Sequence, residues 1–324
     1  MKHTNAIGSM LAVAVVVAAI GSPALAQPEG APPRTALKVC ADPNALPASN
    51  EKQEGFENKI AKVFADSLGL PLEFYWFPQR FKFIRNTLRK ENPDGSYKCD
   101  LVMSVPEQFD MAATTKPYYR STWAMVYVKG RGLDDIKTPE DLINLPEERK
   151  KDLRIGLYDR GPGTDWAFKH GLFDNMVPYQ HMTADLADYP GRIIDQDLVQ
   201  GKIDVTFEWG PIAGYMSKKI KDAEIVVIPM KSEPGIQFDF TFSMAVRYGE
   251  KEWKQQVNDL IDKHREDISR IFAEYAVPLL EVDAGTPAAS DDDDERGGDD
   301  DDEGPAPADD DDQAGSGETG AAAQ

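Results

Sequence analysis

The sequence predicts an α/β protein of two lobes with a ligand cleft between them, and three observations lead there. Short apolar runs alternate with helix-period segments along the chain, the pattern of βα units and mostly parallel pairing. A break in character at residues 128–132 opens a separate block of strands and helices, residues 131–240. That block is inserted between residues 36–130 and a return segment, residues 241–282. Such an insertion joins two lobes by two crossings, which is hinge architecture.

Lys2 and His3, the apolar run 11–20 and Ala24-Leu25-Ala26 read as a cleavable secretory signal over residues 1–26. The run is too short to anchor a mature chain in a bilayer, and no later stretch is long and apolar enough to cross one. The expected location is the periplasm, with no membrane contact after signal cleavage. Residues 27–35 form a Pro/Gly leader. In the first lobe, residues 37–40 read as a strand ending in a turn at 41–44. Residues 57–68 read as a helix with Ile60, Val63, Phe64 and Leu68 at helical spacing and Gly69 as its stop. A strand at 72–77, a helix at 81–90, a turn at 92–95 and a strand at 101–103 follow. In the inserted block, Thr138 caps a helix over 138–145 with Pro139 at its first position. A strand at 153–157 runs into a helix opening at Trp166. A helix at 192–199 and strands at 203–207 and 224–228 complete the block. The return segment gives a strand at 242–246 and a helix over 252–275 with one broad apolar face.

Formal charge is −20, unevenly spread. Residues 283–324 account for −15 of it and residues 1–26 for +1, which leaves the body at −6. A mildly acidic body argues against nucleic acid, whose phosphates need a basic footprint. The segment 283–324 has almost no apolar bulk and is expected to stay disordered. Its three runs of four aspartates read as a solubilising tail or as a weak site for cations or a basic partner. Only two cysteines are present, Cys40 and Cys99. In an exported chain they form a disulfide if their strands are neighbours, or remain two buried thiols. Two cysteines and four histidines without ligand spacing give no metal site.

Six segments taken together carry a family resemblance: VCADPN (39–44), GFENKIAKVFADSLGL (55–70), CDLVMSV (99–105), TTKPYYRS (114–121), GPGTDWAF (161–168) and GKIDVTFEW (201–209). From residue 37 to 280 the chain resembles the type 2 periplasmic solute-binding proteins. The resemblance implies that three parts face the cleft: the turn after the first strand, the segment around Tyr118 and Tyr119, and a helix N-terminus in the second lobe. WFPQRFKFIRNTL (76–88), VPEQFDMAATTKPYYRS (105–121) and WGPIAGY (209–215) are similar to the subgroup associated with quinoprotein alcohol dehydrogenases. This subgroup includes the J protein of methanol dehydrogenase clusters. It implies a non-catalytic accessory or maturation factor, with no cofactor of its own, whose partner is a PQQ-dependent alcohol dehydrogenase, with that enzyme's cytochrome as a further candidate. One departure matters. Amino-acid binders of this fold carry an arginine shortly before the Pro-Tyr-Tyr segment, to clamp a carboxylate in bidentate fashion. Here residues 106–111 read PEQFDM and hold none; Arg80, Arg85 or Arg120 would have to act from other elements.

Candidate cleft residues follow. Asp42 and Asn44 lie in the first turn, and Asp42 with Glu57 is a candidate acid pair. Arg80, Phe81, Tyr118, Tyr119, Arg120 and Trp209 supply the charge and aromatic surface that suit apolar or peptide-like matter. Among the other aromatics, Phe77 and Trp123 are read as core. Gly163, Thr164 and Asp165 open a helix whose amides can hold an anion, although Asp165 would repel one; the plainer reading is a capped turn. Glu208 is read as following a strand, an exposed carboxylate able to meet a cation or donor, or simply a solvated acid. No Ser/His/Asp order and no metal-protease motif appears. The alternatives to an accessory protein are a small-solute receptor for an ABC importer and, third, a dehydratase-like enzyme on the same scaffold.

Overall fold

The structure, a computed structural model, describes residues 34–79, 82–107, 109–180, 185 and 187–282. The expected signal, most of the leader, Arg80, Phe81 and the acidic tail lie outside these residues.

Apolar runs flanked by turn residues become strands. In the first part of the chain β1 (Leu37–Ala41) pairs in parallel with β2 (Leu72–Trp76) and β3 (Leu101–Pro106). Between β1 and β2 lies α1 (Phe56–Leu68), which buries Phe56, Ile60, Ala61, Phe64 and Ala65, the i, i+4 stripe of a helix packed on a sheet. It ends at Gly69, whose φ of +66° is the left-handed stop that glycine adopts without a Cβ penalty.

A ten-residue strand, β4 (Tyr119–Val128), follows. The inserted block then supplies β5 (Ile155–Tyr158), α2 (Pro162–Lys169), β6 (Met176–Tyr179), β7 (Val205–Trp209), α3 (Gly210–Lys219) and β8 (Ile225–Pro229). The return is β9 (Asp239–Val246), α4 (Lys251–Lys263) and α5 (Arg265–Glu274). Among the described residues these nine strands and two short ones, Ala113–Thr114 beside β9 and Leu279–Leu280 beside β4, join in one eleven-stranded sheet with the path β2-β1-β3-β9-β4-β7-β5-β6, and β8 also pairs with β4.

β4 serves both lobes. Residues 119–122 pair antiparallel with β9, from Tyr119↔Phe242 to Thr122↔Asp239. From Trp123 onward the partners are β7 (Trp123↔Trp209) and β8 (Ala124↔Pro229 to Val128↔Ile225). The handover falls between Thr122 and Trp123, inside a continuous strand. Each lobe has its own core. Phe56, Phe64, Trp253, Phe272 and Tyr275 pack on the first-lobe sheet. In the second, alternate residues of β4 feed opposite faces. Met125 and Tyr127 join Trp166 and Phe207 on one side, and Ala124 and Val126 join Ile194 and Met216 on the other. Two glycines let α3 lie against the other lobe's chain. A Cβ on Gly210 would sit 2.1 Å from the Thr122 carbonyl oxygen, and one on Gly214 would sit 2.0 Å from that of Ala276.

Three sequence expectations are corrected. The helix over 81–90 contracts to Phe83–Asn86, because the Thr87 hydroxyl donates back to the Phe83 carbonyl at 2.7 Å and the chain leaves helical geometry at Thr87. Phe83, Ile84 and Leu88 are drawn instead into a cluster around Cys40 and Cys99. The helix over 252–275 breaks at His264 (φ −109°, ψ 21°), whose Nδ1 lies 3.0 Å from the Asp267 carboxylate in the first turn of α5. The strand expected at 203–207 lies two residues later, which places Glu208 within it. Cys40 and Cys99 are bridged, Cα to Cα 5.5 Å, because β1 and β3 are parallel neighbours.

Candidate functional site

The ends of β1, β5, β6 and β7 and the start of β9 converge on a cavity of about 920 Å³. Trp123, Tyr158, Tyr179, Tyr189, Trp209, Phe240 and Phe242 supply its aromatic walls, and Asp42, Asn44, Gln79, Asp185, Asp188, Arg192 and Glu208 much of its polar surface. The walls interlock: Trp209 meets Trp123 edge-on at 6.4 Å between centroids and lies 5.6 Å from Phe242. Strand pairing brings this about, because Trp123 and Trp209 are register partners across β4 and β7.

Glu208 is the most unusual group. It is 3% exposed yet borders the cavity. The Trp209 N–H donates to one carboxylate oxygen at 2.8 Å and the Tyr158 hydroxyl to the other at 2.9 Å. Burial pushes its carboxyl up to about 7, against the opposing pull of these two donors. Burial beside Glu208 also raises the Tyr158 phenol, so Tyr158 stays protonated and remains a donor. The carboxylate read from the sequence as exposed is therefore enclosed, a consequence of its moving from the strand exit into the strand.

Asp42, in the turn after β1, also lines the cavity. Its carboxylate accepts the backbone N–H groups of Asn44 (2.8 Å) and Gln79 (2.5 Å), which fixes the turn after β1. Glu57, in the first turn of α1, is 7% exposed. Its carboxyl is pushed up to about 7, chiefly by burial, with a hydrogen bond to Ser104 opposing and the charge of Asp42 adding to the rise. Asp42 and Glu57 are thus electrostatically linked, but Glu57 is not part of the cavity wall.

The other sequence candidates are distributed as follows. Asn44 and Trp209 line the cavity. Tyr118 and Tyr119 are buried in the first-lobe core beside Phe272; Tyr118 bonds Ser104 at 2.8 Å, and Tyr119 stacks at 4.9 Å on the back of Phe242, one layer behind the wall. Arg120 is held by Asp239 through Nε (3.0 Å) and Nη2 (2.6 Å) across β4 and β9, away from the cavity. Gly163 is buried where a Cβ would meet Phe207 at 2.6 Å, the Thr164 hydroxyl donates to the Tyr158 carbonyl, and Asp165 points to solvent. None of the three is on the cavity wall. Arg85 is exposed, and Arg80 and Phe81 lie outside the described residues. Phe77 packs in the cluster around the disulfide, as expected of core, whereas Trp123, also read as core, lines the cavity. Tyr158, Tyr179, Tyr189, Phe240 and Phe242 were not singled out by the sequence. Tyr158 and Tyr179 end strands, the available signal; Phe240 and Phe242 occupy alternate positions of β9, and so one face.

No family model matches the sequence. A crystal structure of periplasmic binding protein XoxJ from Methylobacterium extorquens AM1 is 33% identical, with a TM-score of 0.59 over 76% of this chain and 100% of that one. MxaJ from Methylophaga aminisulfidivorans is 26% identical, with a TM-score of 0.62 over 75% of this chain and 100% of that one. Protein MoxJ of Methylorubrum extorquens is 25% identical over 299 residues, 85% of this chain and 94% of the relative. With the two-lobed fold and its cleft, these likenesses decide the family: the chain belongs to the MoxJ, MxaJ and XoxJ group of type 2 periplasmic binding proteins.

Proposed function

We propose that this chain is a non-catalytic periplasmic accessory protein that assists the maturation of a PQQ-dependent alcohol dehydrogenase, of the methanol dehydrogenase type, by holding a peptide-like segment of it in the aromatic cleft. The observation that carries this reading is the cleft itself. At about 920 Å³ it is larger than one amino acid fills, its walls are largely aromatic, and no arginine stands on residues 106–111 to clamp a carboxylate. Aromatic walls with a few fixed polar groups suit a chain segment with apolar side chains better than a small polar solute. The reading takes residues 36–130 and 241–282 as one lobe and residues 131–240 as the other; the change of partners along β4 supports two lobes but falls earlier, with Trp123–Val128 paired to strands of the inserted block. It also places the mature protein in the periplasm after removal of residues 1–26.

The test is a pull-down of tagged, signal-cleaved protein from a periplasmic extract, read by mass spectrometry, with residues 283–324 present and deleted. Recovery of a quinoprotein dehydrogenase with both forms supports contact through the folded lobes. Recovery that depends on residues 283–324 moves the contact to the aspartate runs. No dehydrogenase with either form overturns the reading and favours a solute receptor that closes on its hinge.

A further inference from the structure

The cleft is charged as well as aromatic, and carboxylates outnumber cations among its described residues. Among the described residues, Asp42, Asp185, Asp188 and Glu208 line it against one arginine, Arg192, whose Nε is engaged by Asp188 at 3.1 Å. An anionic ligand would meet this excess of carboxylates across the aromatic walls. A neutral apolar ligand would fill the walls but dry the surroundings of Glu208 still further. A cation answers both conditions, because aromatic faces carry negative potential and a buried carboxylate is stabilised by a charge partner.

We propose that the cleft selects a ligand bearing a guanidinium or ammonium group on an apolar stem, with Glu208 as its charge partner and the Trp123 and Trp209 rings as the walls for the stem. This rests on the reading of the cleft given above and names what it takes. Glu208 is placed for the task. Each of its carboxylate oxygens accepts one hydrogen bond, from Trp209 N–H and Tyr158 OH, and each retains capacity for another. The two donors hold the carboxylate in one orientation, so a cation finds it already positioned.

Affinity follows from the titration of Glu208. Its carboxyl is pushed up to about 7, so near neutral pH the empty site is partly protonated, and a cation must expel that proton to bind. Binding therefore strengthens as pH rises from 6 to 8. Among the described residues, the charged and titratable groups that share this cavity are Tyr158, Tyr179, Tyr189, Asp185, Asp188, Arg192 and, from the other lobe, Asp42. All three phenols are raised, to about 12 for Tyr179, and none changes charge across this window. The two sources of such a group, an arginine or lysine of a partner segment and a free amine, share this chemistry and are separated by the probe.

The experiment uses the signal-cleaved full chain, with residues 283–324 kept in every variant so that any cation they attract cancels. Calorimetry and tryptophan fluorescence follow three capped peptides, acetyl-Leu-X-Leu-amide with X arginine, its neutral isostere citrulline, or glutamate, together with free agmatine, at pH 6 and pH 8. At pH 8 one of the two guanidinium probes should bind at least tenfold more tightly than the citrulline peptide, and the margin should shrink several-fold at pH 6. Glu208→Gln should abolish both the margin and its pH dependence. Asp42→Asn, which leaves Glu208 in place, should only reduce the margin. Peptide binding that exceeds agmatine binding assigns the cation to a partner segment, and the reverse assigns it to a free amine. Failure of both the arginine peptide and agmatine to exceed the citrulline peptide, tighter binding of the glutamate peptide, no binding of any probe, or a margin that survives Glu208→Gln overturns the proposal. A dehydrogenase recovered in the pull-down without preference for either guanidinium probe refutes this proposal alone; a guanidinium preference without a dehydrogenase refutes the accessory role alone.

Discussion

Two carboxyls that are nearly closed to solvent, Glu57 and Glu208, set the pH dependence of stability. Each is pushed from 4.5 to about 7, mainly by burial. Between those values the native chain holds a proton that the unfolded chain releases, so stability falls as pH rises. The contribution is fully present below about 4.5 and lost as pH rises through 7. A shift of this size costs the folded state about 3 kcal/mol per group at pH 8. For a body of this size that corresponds to roughly 6 to 12 °C in melting temperature for each carboxyl. Groups held low by exposed ion pairs, such as Asp262 beside Lys116 and Glu274 beside Lys59, act only at more acidic pH and do not mask the effect between 5 and 8. Thermal unfolding followed by circular dichroism at pH 5, 6, 7 and 8 should show the wild-type midpoint falling across the series. In the Glu57→Gln/Glu208→Gln double variant most of that slope should vanish, leaving it more stable than wild type at pH 8. A wild-type midpoint that is flat or rising from pH 5 to 8, or a double variant with the wild-type slope, would refute the reasoning.

Three further outcomes follow from the packing. The Cys40–Cys99 bridge closes a sequence separation of 59 residues, so Cys40→Ala/Cys99→Ala should lose about 4 kcal/mol on a chain-entropy basis, read as a lower denaturant midpoint that reducing agent lowers no further. Gly214→Ala would drive a Cβ against the Ala276 carbonyl and should lower stability by about 1–3 kcal/mol, whereas alanine at solvent-facing Lys219 should be neutral within about 0.5 kcal/mol in the same melting assay. Arg247 is buried between Asp100 (2.8 Å) and Glu250 (2.7 Å), and Arg247→Ala leaves Asp100 without that cation, at a cost of about 3 kcal/mol in urea unfolding.

Local rules made much of the fold legible. The stripe of α1 and its Gly69 stop, the Thr138 cap before Pro139–Ile143 and the runs that became β1, β2 and β3 depend on near neighbours, and sequence spacing reports these directly. β4 did not show itself because both of its faces are buried along Ala124–Val128, which removes the alternation that marks a half-exposed strand. The break at His264 is a tertiary choice within a continuous apolar periodicity. In the cleft, Asp42, Asn44, Glu208 and Trp209 were readable because they sit in or near a turn or strand end. Tyr118 and Tyr119 were drawn inward by Phe272 and Ser104, contacts made by residues distant in sequence or by another strand.

The position of β9 also dictates an order of assembly. It lies between β3 and β4, so those two strands do not pair with each other. As the polypeptide emerges from its N-terminus, β1, β2 and β3 have no bridge to β4 until residues 239–246 are available, and their sheet lacks the cover of α4 and α5 until later still. The inserted lobe has β4, β5, β7 and β8 by residue 229 and can fold first. The first lobe to be synthesised is therefore the last to be completed, and truncation ahead of β9 would leave one closed lobe trailing an open, unmatched sheet edge.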